Sequence, residues 1–496
     1  MATSTITPLV RRGIGAPALS DPFVVLLLCA AAFLIRFPHF TNPYYEIDEG
    51  FYLVVGDRLI HGFLPYVDIW DRKPVGLFLI YGAIRLLGGD GLLQYQAVAT
   101  LFAAGTAWLI YRIAHPVAGR FGAVVAGLAY LLWIETIEGG GGQAPIFYNL
   151  FTAGMAALTL KALSNQTRGR FYLCAGGAML LGGLAIQVKY TAVFEVAYFG
   201  ALLGWHLFRR ERFAAAAAKT LLLALAALAP TLMAIGFYAA IGQLSAFWFA
   251  NFQSIFYRSA ADPGELHHAL IEMIKHVAPL AVCFAAGLWH LRRVEVSATR
   301  FWQWVIGGWL IAALIGYFSV GALFPHYMLP LFVPLTIAAS LIFQRWPLGI
   351  ALSGLVLWIP FSNLDYPDFA TADRVRAETD ALARLIPRDV DRGCLHIFAG
   401  PPILYLRTHA CFASRYIFGD HLVSRVESRA IGTDPHAELR RLIVRRPLAL
   451  LINDAGYKLD PASFALLRQL RTPRYHQVGS VALEGHRIDV WVANRD

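Results

Sequence analysis

The stretch that decides the fold is Tyr44–Gly76, which reads YYEIDEGFYLVVGDRLIHGFLPYVDIWDRKPVG. Nine of its 33 residues are charged, in a chain in which only 15% of the residues are charged. Aromatic side chains separate these charges, and aromatic residues concentrate where a membrane meets water. Apolar runs lie on both sides of the stretch. It therefore predicts a structured loop at the boundary between a lipid bilayer and water.

The composition of the whole chain agrees with a membrane location. Of 496 residues, 57% are hydrophobic, whereas a soluble domain is only about half apolar and about a quarter charged. This balance excludes a cytosolic enzyme, a disordered chain, a collagen and a coiled coil. What remains is a polytopic α-helical membrane protein with a soluble part.

Eleven apolar runs have the length of membrane spans, for which about 20 residues are needed. They are residues 22–38, 93–114, 120–137, 146–163, 171–188, 191–208, 214–241, 271–291, 301–319, 327–343 and 348–361.

The basic residues predict how these spans are oriented, because cytoplasmic loops collect Lys and Arg. All the basic turns, beginning with Arg11 and Arg12, fall on one side only if a single span lies between residues 74 and 112. Pro74–Gly88 is therefore expected to lie along the interface as a juxtamembrane helix. The N-terminus is then expected to lie in the cytoplasm and the C-terminus outside it. The first loop, residues 39–92, then lies on the outer side.

The charge balance supports the same interpretation. The net charge of +10 divides into +7 on residues 1–361 (23 basic, 16 acidic) and +3 on residues 362–496 (19 basic, 16 acidic). The excess lies mainly in the apolar part, where it reflects topology, so no nucleic-acid partner is expected.

The composition changes at about residue 362. Residues 1–361 are predicted to form the transmembrane domain and residues 362–496 a soluble extracytoplasmic α/β domain. Strands are expected at Cys394–Ala399 and Leu448–Ile452, helices at 381–386 and 463–470, and a hairpin over 478–492. In an oxidising compartment Cys394 and Cys411 could form a disulfide.

The first loop carries the residues that suggest chemistry. If it is helical after Asp48, then Asp48 and Tyr52 share a face at i, i+4, and the carboxylate could act as a general base. Arg72 and Lys73 precede the juxtamembrane helix and suit a phosphate group. The alternative is an ordinary solvated loop with ion pairs.

The motifs of this loop resemble a known family. Three motifs, Asp48-Glu49-Gly50-Phe51-Tyr52, Gly62-x-x-Pro65-Tyr66-x-Asp68 and Asp71-Arg72-Lys73-Pro74, resemble the polyprenyl-phosphate-sugar-dependent glycosyltransferases of the GT-C fold. That superfamily includes the aminoarabinose transferases acting on lipid A and the protein O-mannosyltransferases. The sharp motifs cover about thirty residues.

The resemblance implies that Asp48 is the base of an inverting transfer, with Glu49 beside it, and that Lys73 contacts the donor phosphate. It also gives Tyr52 a supporting role. Phe51 stands where aminoarabinose transferases have Arg, so one phosphate contact is missing or comes from elsewhere, for example Arg72 or Arg58.

Further candidates lie at other positions assigned to the outer face. Each has a structural alternative, such as a loose turn, an ion pair or an interfacial anchor. Arg258 and Lys189 are candidates for the donor phosphate, and Asp71, Gln143, His326 and Tyr327 for support or substrate binding.

The resemblance, together with these residues, implies an inverting membrane glycosyltransferase of the bacterial inner membrane. Its partners would be a polyprenyl-phosphate-linked sugar, the lipid bilayer, and a glycolipid, lipid A, polysaccharide or protein acceptor. The transferred group would be a hexose or a pentose. No cofactor is expected, and a divalent metal is possible but not favoured. The alternative is a transporter or lipid flippase, whose polar groups would instead gather near mid-membrane.

Overall fold

The computed structural model describes residues 21–494 except 165–166, 260–262, 292–296, 322, 365, 367, 454–459 and 472. Arg11 and Arg12, on which the predicted orientation rests, lie outside the described residues. The longer helices of the first 363 residues are α1 Pro22–Arg36, α2 Ile47–Ile60, α3 Val75–Arg85, α4 Leu92–Glu135, α5 Ala144–Ser164, α6 Arg168–Ile186, α7 Val193–Phe208, α8 Phe213–Ala240, α9 Pro263–Leu291, α10 Ser297–Phe318, α11 Phe332–Phe343 and α12 Leu348–Asn363.

In the described part of the chain, eight helices are long and apolar enough to cross a membrane. One of these, α4, is two helices joined at a kink, where Gly119 has a φ of 64° and Pro116 lies three residues earlier. Two shorter apolar helices, Gln303–Phe318 and Leu348–Asn363, complete the set. All eleven predicted runs are therefore helical, and the chain is a multi-pass membrane protein.

The segment predicted as a juxtamembrane helix is the 11-residue α3. At 1.5 Å per residue it is about 16 Å long, roughly half the thickness of a hydrocarbon core. Its length agrees with a helix that does not cross the membrane.

The chain divides into two compact units. The first consists of residues up to Pro38, Val98–Met233 and Asp262–Pro367, and contains most of the long apolar helices. The second consists of His39–Ala97, Ala234–Ala261 and Asp368–Asp496.

Within the first unit, Arg36 occupies an unexpected position. An arginine at the end of the first apolar run is expected to extend its charge to the membrane surface. That expectation is wrong: Arg36 is 1% exposed. Its guanidinium lies 3.3 Å from Glu135 and donates to the carbonyl oxygen of Gly139 at 2.8 Å. Glycine-loop carbonyls and a carboxylate thus compensate the buried charge.

The second unit contains a four-stranded sheet in the order β1-β2-β4-β3. The strands are β1 Leu395–Ile397, β2 Ala449–Ile452, β3 Tyr475–Leu483 and β4 His486–Ala493, and the helices beside them are α13 Phe369–Leu385, α14 Pro435–Arg445 and α15 Pro461–Arg471.

The sheet confirms the predicted α/β architecture of the tail. β1 and β2 are parallel, and β2–β4 and β4–β3 are antiparallel. Glu484 and Gly485 turn the hairpin with φ values of 48° and 79°, which a two-residue turn matching the strand twist requires. The amphipathic α14 was not expected, and it buries Leu439, Leu442 and Ile443 in the core.

A disulfide joins Cys394 and Cys411. The backbone N–H of Leu395 also donates to the carbonyl of Cys411 at 3.1 Å. These two links tie the segment around residue 411 to the first strand of the sheet.

The first loop folds as part of the second unit, through the close packing of α2 on α3. A Cβ added at Gly56 would lie 2.6 Å from the backbone of Tyr81, so only glycine allows this approach. Arg85 donates to the carboxylate of Asp57 at 3.0 Å. This packing fixes the distance between the first turn of α2 and the segment that precedes α3.

Candidate active site

Asp48 lies in the first turn of α2, where the unpaired N–H groups of the helix favour a carboxylate. The hydroxyl of Tyr52, one turn later, donates to Oδ2 of Asp48 at 2.9 Å. The predicted i, i+4 pair is therefore present. Burial raises the pKa of Tyr52 well above its ordinary value, and the charge of Asp48 raises it further. Tyr52 thus remains a hydrogen-bond donor at neutral pH.

The ammonium group of Lys73 lies beside Asp48. Its Nζ is 3.8 Å from Oδ1 of Asp48 and 3.6 Å from Oδ2 of Asp71. It is also 5.0 Å from the ring centroid of Tyr52. The side chains of Lys73 and Asp48 are 29% and 17% exposed, whereas that of Asp71 is 3% exposed. Lys73 and Asp48 are therefore accessible to a ligand, while the buried carboxylate of Asp71 holds the ammonium group of Lys73 in position.

The backbone around Lys73 is held on two sides. Oδ1 of Asp71 accepts the N–H groups of Arg72 at 2.5 Å and of Lys73 at 3.2 Å. The hydroxyl of Tyr66 donates to the carbonyl of Lys73 at 2.8 Å. Pro74 then precedes the first residue of α3. These contacts explain why the motif includes Asp71, Tyr66 and Pro74.

The two arginines proposed for the donor phosphate meet on a residue of the tail. Arg72 pairs with Oε2 of Glu427, and Arg258 pairs with Oε1 of the same carboxylate. The N–H of Ser259 donates to the carbonyl of Val426 at 3.3 Å, which joins the two segments. Burial acts to raise the pKa of Glu427, but Arg72 and Arg258 outweigh it and hold the pKa below its ordinary value. Glu427 is thus a carboxylate that links both cations.

His421 lies among these groups and was not predicted. Its ring packs edge-on against Trp70, with 4.6 Å between the ring centroids. Burial lowers the pKa of His421 well below its ordinary value, and the charge of Arg72 lowers it further. Its Nδ1 is buried, with no hydrogen-bond partner among the described residues. His421 is therefore a neutral imidazole beside the cation cluster.

Glu49 has a different environment from its neighbour Asp48. It is fully buried, and the hydroxyl of Tyr95 donates to it at 3.0 Å. This contact ties α2 to the start of α4. Its catalytic role stays a prediction, and its surroundings are those of a supporting group.

The remaining predicted residues belong to the first unit, in which three of them are neighbours. Nζ of Lys189 lies 3.6 Å from the ring centroid of Tyr327. Nδ1 of His326 lies 2.7 Å from the carboxylate of Glu138, in the glycine-rich loop. Gln143, a few residues later in the same loop, is 1% exposed. Their roles in binding stay predictions.

Glu427 and His421 were missed because the tail has no motif that marks them. Each is an isolated polar residue in a polar segment, and only their contacts with Arg72 and Trp70 distinguish them. A guanidinium that is 7% exposed, as in Arg258, requires a partner, but this burial is visible only in the structure. The position of the partner carboxylate in the chain could therefore not have been predicted.

Comparison with known proteins identifies the fold. Residues 71–234 match the family model for dolichyl-phosphate-mannose-protein mannosyltransferase. The matched region begins at Asp71, which contacts Lys73. ArnT from Cupriavidus metallidurans, bound to undecaprenyl phosphate, superimposes with a TM-score of 0.64 at 15% identity. The match covers 96% of this chain and 100% of that one. The chain has the GT-C fold.

Two further GT-C structures agree. ArnT from the same organism in the apo state gives a TM-score of 0.64 at 13% identity, over 97% of this chain and 100% of that one. The oligosaccharyltransferase of Archaeoglobus fulgidus, tethered to an acceptor peptide, gives 0.51 at 12% identity, over 88% and 70%. No curated protein sequence matches the chain. The GT-C resemblance inferred from the first-loop motifs is confirmed, and so is the predicted fold class.

Proposed function

We propose that this protein is an inverting glycosyltransferase that moves a sugar from a polyprenyl phosphate to an acceptor outside the cytoplasm. The observation that carries the proposal is the separation of 3.8 Å between Asp48 Oδ1 and Lys73 Nζ, at a partly exposed position. A carboxylate and a cation in contact can serve the two ends of a displacement at one carbon.

The reaction follows from these roles. Asp48 takes the proton of the acceptor hydroxyl or amine as its oxygen or nitrogen attacks the anomeric carbon. The bond between that carbon and the phosphate oxygen breaks, and the electron pair leaves with the polyprenyl phosphate. Lys73 neutralises the charge on the leaving phosphate. One displacement at the anomeric carbon inverts its configuration.

The comparisons support the class of donor. ArnT of Cupriavidus metallidurans was crystallised with undecaprenyl phosphate. The matching family is described by its use of dolichyl-phosphate-mannose. Both carriers are polyprenyl phosphates. Arg72 and Arg258 are the additional cations that we assign to the donor phosphate, and Lys189 is a further candidate.

The disulfide supports the proposed location. Disulfides persist outside the cytoplasm and are rare within it, so Cys394 and Cys411 favour an extracytoplasmic tail. We therefore propose residues 362–496 as an extracytoplasmic domain of a bacterial inner-membrane protein with a cytoplasmic N-terminus. Acceptors on that side are glycolipids such as lipid A, polysaccharides or proteins.

The test is the Asp48→Asn variant. Mass spectrometry of envelope lipids and glycans, with and without the protein, first identifies the transferred sugar. The rates of sugar transfer by purified wild-type and D48N protein are then compared, with that sugar linked to undecaprenyl phosphate as the donor. Loss of a general base lowers turnover by roughly 10²–10⁴-fold, while binding of undecaprenyl phosphate remains.

The matched control is Asp373→Asn, which removes an exposed carboxylate (72% exposed) elsewhere in the second unit. It should retain wild-type turnover. Transfer by D48N at the wild-type rate would refute the mechanism. Movement of the lipid across vesicles without sugar transfer would favour the flippase alternative.

A further inference from the structure

The second unit has a cleft of about 450 Å3 beside the C-terminal end of α2. Its walls are Arg58 and Phe63, the segment 409–415, and Arg445 at the end of α14. Small-molecule sites in proteins enclose about 300–1,000 Å3. The cleft therefore has the volume for one or two sugar rings.

The cleft is strongly basic. Arg58, Arg415 and Arg445 line it together with His409, and Asp68 is the one carboxylate among its described lining residues. Oδ2 of Asp68 already accepts the N–H of Leu64 at 2.7 Å. In the described structure no carboxylate lies within 4.0 Å of Arg415 or Arg445. Glu438 lines a neighbouring cleft together with both arginines but forms no ion pair with either. Two exposed guanidinium groups therefore face the first cleft without a carboxylate in contact.

Local contacts orient both of these arginines. Arg445 donates to the carbonyl of Ala413 at 3.4 Å, and Arg415 donates to the hydroxyl of Tyr416 at 2.7 Å. Each guanidinium retains further N–H groups, since it carries five. A fork of this kind binds phosphate or carboxylate through two parallel hydrogen bonds.

Aromatic rings lie beside the cations. Phe63 is 38% exposed, and its ring is edge-on to Phe412 with 6.0 Å between the centroids. The guanidinium of Arg58 lies 5.2 Å from the centroid of Phe412. An exposed aromatic face packs against the C–H face of a sugar ring, and the neighbouring cations select for a charged sugar.

The cleft is preorganised. The disulfide with Cys394 anchors Cys411 in the wall of the cleft. A parallel β-bridge between Leu395 and Phe412 anchors the next residue in the same way. Arg58 donates to the carbonyl of Ala410 at 3.2 Å, which joins the two walls. A rigid site loses little conformational entropy when it binds a ligand.

We propose that this cleft binds an anionic saccharide that carries phosphate or carboxylate. This saccharide is a part of the acceptor distinct from the group that receives the transferred sugar. The proposal rests on the transferase function above. Arg58 follows Asp48 by ten residues on the same helix, which corresponds to about 15 Å. An oligosaccharide held here by its charged group can extend its nucleophile to Asp48. The acceptor is therefore an acidic or phosphorylated glycan or glycolipid.

The experiment measures saccharide binding to the purified full-length protein by isothermal titration calorimetry. The probes are trigalacturonate, glucose 1,6-bisphosphate and the neutral maltotriose. Both anionic probes should bind the wild type more tightly than maltotriose, and the tighter of the two identifies the anion. The Arg415→Ala/Arg445→Ala variant should bind the preferred anion roughly tenfold more weakly or worse.

The matched control is Arg374→Ala/Arg487→Ala, which removes two exposed arginines (59% and 67%) from the same unit, away from the cleft. It should bind within about twofold of wild type, since neither arginine lines the cleft. Unchanged anion binding in the Arg415/Arg445 variant would overturn the proposal. So would equal binding of maltotriose, or no anion binding by the wild type.

Different results would refute the transferase function and the assignment of the cleft. D48N should lose transfer but keep anionic saccharide binding, because Asp48 does not line the cleft. The Arg415/Arg445 variant should keep undecaprenyl phosphate binding. Absence of sugar transfer by the wild type would refute the transferase, whereas charge-independent saccharide binding would refute only the assignment of the cleft.

Discussion

The ammonium group of Lys73 lies 3.8 Å from the carboxylate of Asp48, although 25 residues separate them in the chain. Asp48 belongs to the first turn of α2, and Lys73 immediately precedes Pro74 and α3. The close packing of the two helices at Gly56 holds the pair together. The proposed base and phosphate-binding cation are therefore parts of one rigid element.

Replacement of Lys73 by Gln should weaken binding of undecaprenyl phosphate. The variant loses one charge-assisted hydrogen bond, a contact of about 1.5–3 kcal/mol, which corresponds to roughly ten- to a hundredfold in the dissociation constant. Titration calorimetry in detergent measures it. Lys275→Gln, at a 63% exposed lysine, is the control. Equal affinity of the K73Q and K275Q variants would contradict the assignment.

Replacement of Tyr52 by Phe should slow transfer, but less than D48N does. The ring and its packing remain, and only the hydrogen bond to Asp48 at 2.9 Å is lost, so turnover should fall by about tenfold. Because burial and Asp48 hold the pKa of Tyr52 well above its ordinary value, the wild-type rate should show no ionisation of Tyr52 near neutral pH. A loss as large as that of D48N would instead make Tyr52 a direct participant.

Glu427→Gln should destabilise the protein in a pH-dependent way. The folded-state pKa of Glu427 lies below its ordinary value of 4.5. Its ion pairs therefore stabilise the fold above pH 4.5, and this stabilisation is lost as the pH falls through the folded-state pKa. The melting temperatures of wild type and E427Q should differ most at pH 7, and the difference should shrink as the pH falls below 4.5. A constant difference between pH 7 and pH 3.5 would exclude this ionic contribution.

Removal of the disulfide should destabilise the tail. The two cysteines are 17 residues apart, and closing a loop of that size contributes about 3 kcal/mol. Cys394→Ser/Cys411→Ser should therefore unfold at lower denaturant concentration than wild type, and dithiothreitol should act on the wild type alone. The control is Cys174→Ser, at a free cysteine. Thiol labelling of Cys394 and Cys411 in unreduced wild-type protein would contradict the pairing.

Much of the architecture could be predicted from local sequence. The apolar runs predicted the membrane helices, since a span needs only length and hydropathy. The alternation around Glu484 and Gly485 predicted the hairpin, because turn residues and strand pattern are local properties. The pair of Asp48 with Tyr52 followed from helical spacing. Arg36 was misplaced, because its counter-charge Glu135 is 99 residues away.

The sequence by itself determined the membrane class, the first-loop motif and the resemblance to GT-C transferases, since each depends on residues close together in the chain. Only the tertiary structure decided that Arg72 and Arg258 share Glu427, and that Arg58 forms one cleft with Arg415 and Arg445. The physical reason is the range of the interactions. Helical pairing and hydropathy act within a few residues, whereas a buried or clustered charge is stabilised by whichever distant segment the fold brings to it.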